Sequence, residues 1–341
     1  MQTRIGIVGT GFIGNIHSLA IRNCPKAKLA AVAEVQPEKL TKFAAEFGIE
    51  RVYTDYRELI QEGSVDAVII CTPNDLHAPI ALAALKAKLA VMVEKPMAMS
   101  PEEGYCMLKA AQKAGAPLMV AHCWRFDREV IWLREQANAG RLGKIVRTKS
   151  YGVHAHWGPS GWFTEKRRSG GGALVDMGIH GLDTVRFLIG DPQPVSVYAR
   201  LGTYYGSYDT DDTGVILVNW EGGAVSYIES GWWQPHTDGP EAGAQLYGTL
   251  GFGQVFPTYL EISNPENQEL EKVNPGMPPR EEHCEQRMYD AQLAYFVDCI
   301  QGGRSPSPGG EEGLVNMRIL TAAYESAHTG QVVVLTRQVE I

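Results

Sequence analysis

Three side chains in this sequence are of types that move protons or bind hydroxyl groups. Lys95 stands between Glu94 and Pro96, directly after an apolar run that is typical of a buried strand. Asp176 and His180 are four residues apart in a segment with helical periodicity, which places both on one helix face. A lysine can stabilise a developing alkoxide, and an imidazole can accept a proton near neutral pH. These residues predict a site that acts on a substrate hydroxyl.

A glycine-rich motif comes between the first predicted strand, residues 4–8, and a predicted helix at residues 13–23. Glycines in such a turn allow a tight bend, close approach of a pyrophosphate and close packing of helix on strand. The amino end of the helix offers free N–H groups and the positive end of its dipole to phosphate. The alternative is an ordinary glycine-rich turn. The motif predicts a dinucleotide site formed by Gly9, Thr10, Gly11, Phe12, Ile13 and Gly14.

An acidic residue then indicates which dinucleotide binds. Glu34 ends the second predicted strand, and its carboxylate is suited to hydrogen-bond the ribose hydroxyls. The same carboxylate would repel the 2′-phosphate of NADP, and the two residues after it, Val35 and Gln36, include no arginine to bind that phosphate. We therefore expect NAD as the cofactor in preference to NADP.

The chain changes its pattern once, near residue 121. Before that point short apolar strands alternate with helices, which indicates β-α-β units and a parallel sheet. The remaining strands predicted there are 28–33, 51–53, 66–71, 89–93 and 117–121, and the remaining helices are 37–47, 76–87 and 101–114. We predict an α/β protein whose first domain, 1–122, binds the cofactor.

The second predicted domain, 123–341, has an α+β pattern with a mostly antiparallel sheet. Its predicted strands are 144–153, 195–201, 213–220, 224–232, 244–247 and 331–335, and its predicted helices are 126–139, 173–189, 285–301 and 311–329. The turn Glu221-Gly222-Gly223 indicates a hairpin between two of these strands. This domain is expected to bind the substrate.

Polar residues follow several strands of the predicted parallel sheet. Ligands of such sheets bind outside the carboxyl ends of the strands. One set follows the fourth strand, another the fifth, and a third the sixth: Thr72, Pro73, Asn74 and His77; Glu94 and Lys95; Trp124 and Arg125. We expect the first two sets to contact the cofactor and the third, Trp124 and Arg125, to contact the substrate. We also expect a cis bond before Pro96 to aim Lys95 inward. The alternative is that Lys95 caps a strand end at the surface.

A glycine triplet, 170–172, precedes the helix that carries Asp176 and His180, and we expect it to be flexible. The alternative is that His180 is a buried histidine in a helix at a domain interface. Two other segments, one before the glycine triplet and one after a predicted strand, contain histidines, aromatic residues and a glutamine. This composition suits a polyol, whose C–H faces stack on aromatic rings and whose hydroxyls need hydrogen bonds. These residues are His154, His156, Trp157, Trp162, Phe163, Trp232, Trp233, Gln234 and His236.

Of this set we expect His154 and Trp162 to contact the substrate, whereas Trp232 and Trp233 fit either the pocket or the core. The spacing of His154 and His156 suggests a metal pair, but alternate strand residues point to opposite faces. No third ligand is evident in the sequence, so we predict no metal site.

Composition excludes several classes of protein. A net charge of −8 argues against a nucleic-acid surface, and no apolar run reaches the roughly 18 residues of a membrane span. The first strand begins too close to Met1 for a signal peptide. Six cysteines without C-x-x-C spacing are typical of reduced thiols. We expect a cytoplasmic protein.

On these motifs the chain resembles the glucose–fructose oxidoreductase, inositol dehydrogenase and rhizopine-catabolism family along nearly its whole length. The resemblance implies a Rossmann domain and a C-terminal domain with a large open sheet, often used for contacts in dimers or tetramers. It implies hydride transfer between a nicotinamide and a carbohydrate or cyclitol carbon, with Lys95, Asp176 and His180 as the catalytic group. His122-Cys123-Trp124-Arg125 departs from the asparagine-arginine pattern that family members often show there.

Three functions are compatible with the sequence. The first is an NAD-dependent sugar or cyclitol dehydrogenase, in which His180 and Lys95 remove the hydroxyl proton, in either order of roles, and Asp176 orients substrate and base. The second is an enzyme that cleaves a glycosidic bond through transient oxidation by tightly held NAD. The third is an NAD-binding regulator without catalytic activity.

Overall fold

The computed structural model describes residues 2–235, 241–263, 269–278 and 285–336. The helices of these residues are α1 (Phe12–Asn23), α2 (Pro37–Phe47), α3 (Tyr56–Gln61), α4 (His77–Lys86), α5 (Pro101–Ala114), α6 (Arg128–Asn138), α7 (Lys166–Ser169), α8 (Ile179–Leu188), α9 (Gln286–Gly302) and α10 (Gly310–Thr329). Short 3₁₀ turns occur at Asn74–Leu76, Cys123–Phe126 and Gly161–Thr164, and a π-helical turn, Leu174–Gly178, leads into α8.

The strands form two separate sheets. They are β1 (Thr3–Val8), β2 (Ala27–Ala33), β3 (Val52–Tyr53), β4 (Ala67–Ile70), β5 (Ala90–Val93), β6 (Leu118–Val120), β7 (Ile145–Ala155), β8 (Pro194–Gly202), β9 (Thr213–Trp220), β10 (Val225–Gln234), β11 (Ala242–Gly248), β12 (Gly251–Val255), β13 (Tyr259–Ser263), β14 (Leu270–Val273) and β15 (Val333–Val334). The chain divides into two compact units, 1–126 with 284–317 and 127–283 with 318–341.

The first unit contains a six-stranded parallel sheet in the order β3-β2-β1-β4-β5-β6. Every residue of β4 and β5 is buried, which explains why these strands are continuous apolar runs in the sequence. The strand order is that of a doubly wound dinucleotide-binding fold. The predicted parallel sheet is confirmed.

A late segment of the chain also belongs to the first unit, although the predicted division at residue 123 gave it to the second domain. Helix α9 packs on α1, where the side-chain nitrogen of Asn23 donates to Asp290 over 3.0 Å. Lys26 just beyond α1 pairs with Asp298 at 2.7 Å. The pattern of α9 predicts a helix but carries no information about which sheet it covers.

The second unit is built on a nine-stranded sheet in the order β14-β13-β12-β11-β7-β10-β9-β8-β15. Its neighbouring strands are antiparallel except for β7 and β10, and the hairpin predicted at residues 221–223 joins β9 to β10. The mostly antiparallel sheet is therefore confirmed.

Small residues allow the helical segment 174–188 to lie close against this sheet. A Cβ built on Gly152 of β7 would lie 2.2 Å from the carbonyl oxygen of Met177. A Cβ on Gly178 would lie 2.8 Å from the Cβ of Ser230. A larger side chain at Gly152 or Gly178 would push the helical segment off the sheet.

Several elements were not predicted. Helix α3 has six residues, too few for clear periodicity, although Asp55 caps it by accepting a hydrogen bond from the backbone N–H of Arg57. Strands β12, β13 and β14 have five residues or fewer, and glycines interrupt the apolar pattern of β12.

Two further observations concern the cysteines and the helices of the described residues. The cysteines that the structure describes are free. No helix in the described part of the chain combines the length and the apolar character that crossing a bilayer requires.

Candidate active site

Two glycines of the 9–14 loop are required by the path of the backbone. Gly9 has φ of +96°, and a Cβ placed there would lie 2.6 Å from the carbonyl oxygen of Cys71. A Cβ on Gly14 would lie 2.3 Å from the carbonyl oxygen of Gly9. These two glycines let the loop turn tightly over β4 and let α1 start against it.

Gly11 is different because the space around it is open. A Cβ built on Gly11 meets no heavy atom within 4 Å among the residues that the structure describes. Gly11 is the N-cap residue of α1, and within the same described residues no side chain caps that helix end. Phe12 is 78% exposed beside it. An uncapped helix amino end next to open space fits a pyrophosphate group.

Glu34 lies at the same loop. Its Oε2 accepts hydrogen bonds from the backbone N–H of Thr10 at 3.0 Å and from the Thr10 hydroxyl at 2.9 Å. Its Oε1 accepts one from the backbone N–H of Gln36. The carboxylate is therefore fixed beside the glycine loop, where its charge would repel a 2′-phosphate. This placement fits NAD.

The residues that follow β4 are joined to those that follow β5 by His77. This side chain is fully buried, with Nδ1 2.7 Å from the carbonyl oxygen of Pro96 and Nε2 3.0 Å from that of Thr72. Burial lowers the pKa of His77. Thr72 and Pro73 are partly exposed, whereas Asn74 is buried. The imidazole itself is occupied by protein contacts.

Glu94 belongs to a buried pair that the sequence did not reveal. Its Oε1 lies 2.8 Å from Nε2 of His17 in α1, and both side chains are buried. Burial by itself raises the pKa of Glu94, but the hydrogen bond and charge of His17, together with the charge of Lys95, hold it below its usual value. The pair ties the loop after β5 to α1.

Lys95 is more exposed than its neighbours in the chain. Every residue from 89 to 98 is buried except Lys95, which is partly exposed. The bond between Lys95 and Pro96 is cis, as predicted. The backbone N–H of Lys95 also donates to Oε2 of Glu94.

Trp124 and Arg125, which the sequence predicts as substrate contacts, are 2% and 3% exposed. Both lie in the 3₁₀ turn after β6, within the first unit. Their contact with a substrate remains a prediction.

The second unit presents Asp176 and His180 in a comparable way. Between residues 171 and 186, all of which the structure describes, the other positions are buried and these two are partly exposed. Asp176 lies in the π-helical turn and His180 in the first turn of α8. Turns of this kind often occur at functional sites. Nε1 of the fully buried Trp232 donates to Oδ2 of Asp176 at 3.0 Å.

The glycine triplet is not a flexible lead into this helix, and that expectation is wrong. Gly171 and Gly172 are buried, and a Cβ on them would lie 1.9 Å from the Tyr324 hydroxyl and 1.8 Å from the Asp211 carbonyl oxygen. The Asp211 carboxylate accepts hydrogen bonds from the backbone N–H groups of Gly172 and Leu174, each at 2.8 Å. Gly171 and Gly172 must be glycine because Tyr324 and Asp211 fill the space of their side chains, and Gly170 has φ of +80°.

The predicted substrate contacts His154 and Trp162 have protein partners in the second unit. The His154 ring stacks on the Trp157 ring with centroids 3.6 Å apart, and its Nε2 lies 3.6 Å from Oδ2 of Asp176. Trp162 stacks on Phe163. Trp232 is a core residue, whereas Trp233 is 41% exposed.

Two remaining expectations concern His236 and metal binding. His236 lies outside the described residues. Among the residues that are described, no three histidine, cysteine, aspartate or glutamate side chains are grouped to hold a metal ion.

Comparison with known families gives two matches along the chain. A family described as an oxidoreductase family with an NAD-binding Rossmann fold matches residues 3–122. The C-terminal domain of the GFO/IDH/MocA family matches residues 130–252.

Individual relatives match over nearly the full chain. The chain is 28% identical to a 1,5-anhydro-D-fructose reductase of Ensifer adhaerens over 97% of this chain and 98% of the relative. It is 26% identical to a myo-inositol 2-dehydrogenase of Thermotoga maritima, over 95% and 96%. A solved levoglucosan dehydrogenase in complex with NADH and levoglucosan superimposes with a TM-score of 0.89 at 26% identity, covering 99% of this chain and 100% of that one.

Proposed function

As the chain belongs to the Gfo/Idh/MocA family of oxidoreductases, with an NAD-binding Rossmann domain, we propose that it oxidises a hydroxyl-bearing carbon of a sugar, a sugar derivative or a cyclitol. Bound NAD would supply the redox step by accepting a hydride from that carbon. Relatives named for an anhydrosugar and for myo-inositol support this class of substrate.

The cofactor would be held by residues of the first unit. The open space at Gly11 and the uncapped amino end of α1 suit the pyrophosphate. Glu34 suits the ribose hydroxyls of NAD. The proposal also includes contacts from Thr10, Phe12, Ile13, Thr72, Pro73, Asn74, Glu94 and Lys95.

The proposed chemistry uses three side chains. His180, assisted by Lys95, accepts the proton of the substrate hydroxyl, because an imidazole can take a proton near neutral pH. Lys95 also stabilises the negative charge that develops on the oxygen. Asp176 orients the substrate hydroxyl and His180.

One observation carries this assignment. Lys95 is the partly exposed residue of the buried segment 89–98, and Asp176 and His180 are those of the buried segment 171–186. Each of these side chains can reach a ligand at the surface while the buried residues on either side fix its backbone. Their exposure supports a role toward a ligand.

The first experiment incubates the protein with NAD or NADP and a panel of monosaccharides, anhydrosugars, sugar acids and inositols while NADH or NADPH absorbance is followed. We expect NADH to form with one class of polyol. Silence across the panel would contradict the dehydrogenase and favour bond cleavage by retained NAD or a regulatory role. Mass analysis of copurifying cofactor would then separate these two.

The variant Lys95→Ala tests the assignment of the lysine. We expect turnover to fall by about a hundredfold or more, the usual loss for a proton-transfer group, with NADH affinity nearly unchanged. The matched control is Lys86→Ala, an exposed lysine of α4. Unchanged turnover of Lys95→Ala would remove this lysine from the mechanism.

The proposal includes a homodimer or homotetramer formed through the sheet of the second unit. On β9 the side chains that alternate with buried Ile216 and Val218 are partly exposed at Val215 and exposed at Leu217 and Asn219, and Leu217 is 37% exposed. Exposed apolar side chains on a sheet face are commonly covered by a second copy. Light scattering of the purified protein would show the number of copies.

A further inference from the structure

The carboxylate of Asp176 is held by two neighbours in the second unit. Trp232 donates its indole N–H to Oδ2 at 3.0 Å, and Nε2 of His154 lies 3.6 Å from the same oxygen. Trp232 is fully buried and His154 is 8% exposed, so neither ring is free to swing away. The position of the His154 ring therefore helps to set the direction of the Asp176 carboxylate.

The other nitrogen of that ring faces a second carboxylate. Nδ1 of His154 lies 3.3 Å from Oε2 of Glu241, which precedes β11. Glu241 therefore contacts the ring nitrogen that faces away from Asp176, and this contact fixes the plane of the imidazole.

Glu241 is itself fixed. Its Oε1 accepts hydrogen bonds from the backbone N–H of Ala155 at 3.2 Å and from the indole N–H of Trp157. The Trp157 ring in turn stacks on the His154 ring. The Glu241 carboxylate therefore contacts the edge of the His154 imidazole, and the Trp157 indole contacts its face.

We infer that Glu241 is a positioning residue, which acts through His154 on the carboxylate of Asp176. Glu241 and Trp157 hold the His154 ring in place, and that ring lies against Oδ2 of Asp176, the oxygen that also accepts from Trp232. The inference rests on the proposed function, which makes Asp176 a catalytic residue. It adds a carboxylate 65 positions away in the sequence to the machinery of the site.

The kinetic test uses Glu241→Gln, whose amide oxygen can still accept from Trp157 and Ala155 while the charge is lost. We expect kcat to fall by about tenfold, as when the partner behind a functional ligand is removed, with little change in KM or Tm. The matched control is Glu229→Gln on β10, where the carboxylate faces Lys149 instead. Equal kcat in Glu241→Gln and the wild type would overturn the inference.

A double-mutant cycle separates positioning from a general effect on folding. If Glu241 acts through His154, adding Glu241→Gln to His154→Asn causes no further loss of kcat. Additive losses would overturn the inference. Asp176→Asn is measured alongside, and full turnover in that variant would contradict the proposed function of Asp176.

A measurement without substrate decides the inference even if the proposed function fails. In the ¹⁵N-histidine NMR spectrum the His154 signal is assigned by its loss in His154→Asn. We expect the His154 ring signals to shift in Glu241→Gln and to match those of the wild type in the control Glu229→Gln. Unchanged His154 signals in Glu241→Gln would overturn the inference.

Discussion

The two glycine-rich segments of this chain use the missing side chain in opposite ways. Around Gly11 the space stays open beside the amino end of α1. Around Gly171 and Gly172 the space is occupied by Tyr324 and Asp211 of the same unit. The first segment leaves open space, which suits the pyrophosphate proposed above, whereas the second is filled by other residues of the protein. A run of glycines therefore does not distinguish a ligand site from tight packing.

The largest effect is expected from Gly172→Ala, which tests the packed segment. A Cβ there would lie 1.8 Å from the carbonyl oxygen of Asp211, so the backbone must move and the hydrogen bonds to the Asp211 carboxylate weaken. We expect the free energy of unfolding to fall by about 3 kcal/mol, the upper range for overpacking. Urea denaturation measures this free energy, and an unchanged midpoint would show that the segment can accommodate the added methyl group.

The second-largest effect is expected from Gly11→Ala, which tests the open segment. The new methyl group meets no described atom, so the urea midpoint should stay within error of the wild type. It occupies the space proposed for the pyrophosphate, and the Kd for NADH should rise about tenfold, or 1.4 kcal/mol. Isothermal titration measures this change. Gly302→Ala, at the end of α9, is the matched control, and equal NADH affinity in Gly11→Ala would argue against this location.

The smallest effect is expected from Glu34→Gln, which tests whether the charge of Glu34 sets the cofactor preference of the open segment. The amide oxygen can still accept from Thr10, but the charge that repels a 2′-phosphate is gone. The preference for NADH over NADPH should shrink by about 1 kcal/mol, the value of one charge pair in water. Competition binding measures the preference, with Glu38→Gln on the exposed start of α2 as control. An unchanged preference would mean that Glu34 serves only to hold Thr10.

The parallel half of the fold was predictable because each element carries a local signal. Buried runs such as β4 and β5 are apolar throughout, and α2 and α5 begin with proline and end at a glycine in the left-handed conformation. The second sheet was predictable only in part. Strands β12–β14 are short, and their neighbours in the sheet, rather than their own residues, make them strands.

The candidate site shows the same limit. Gly9, Gly14 and Glu34 could be predicted because their spacing follows from the local path of strand, turn and helix. His17, Asp211 and Glu241 were missed, as was the bond of Trp232 to Asp176, because each of these residues meets its partner across a long stretch of sequence. No spacing rule marks such contacts, since they depend on which strands become neighbours in the sheet.

The π-helical turn Leu174–Gly178 makes the length of this segment matter more than its composition. Such a turn holds one residue more than an α-helical turn. Deleting one residue from it would rotate the preceding residues by about 100° around the helix axis, the step of one residue in an α-helix. Asp176 would then turn away from the indole of Trp232 even if every side chain kept its identity. We therefore expect an insertion or deletion at these five positions to disturb the orientation of Asp176 more than a conservative substitution at any of them.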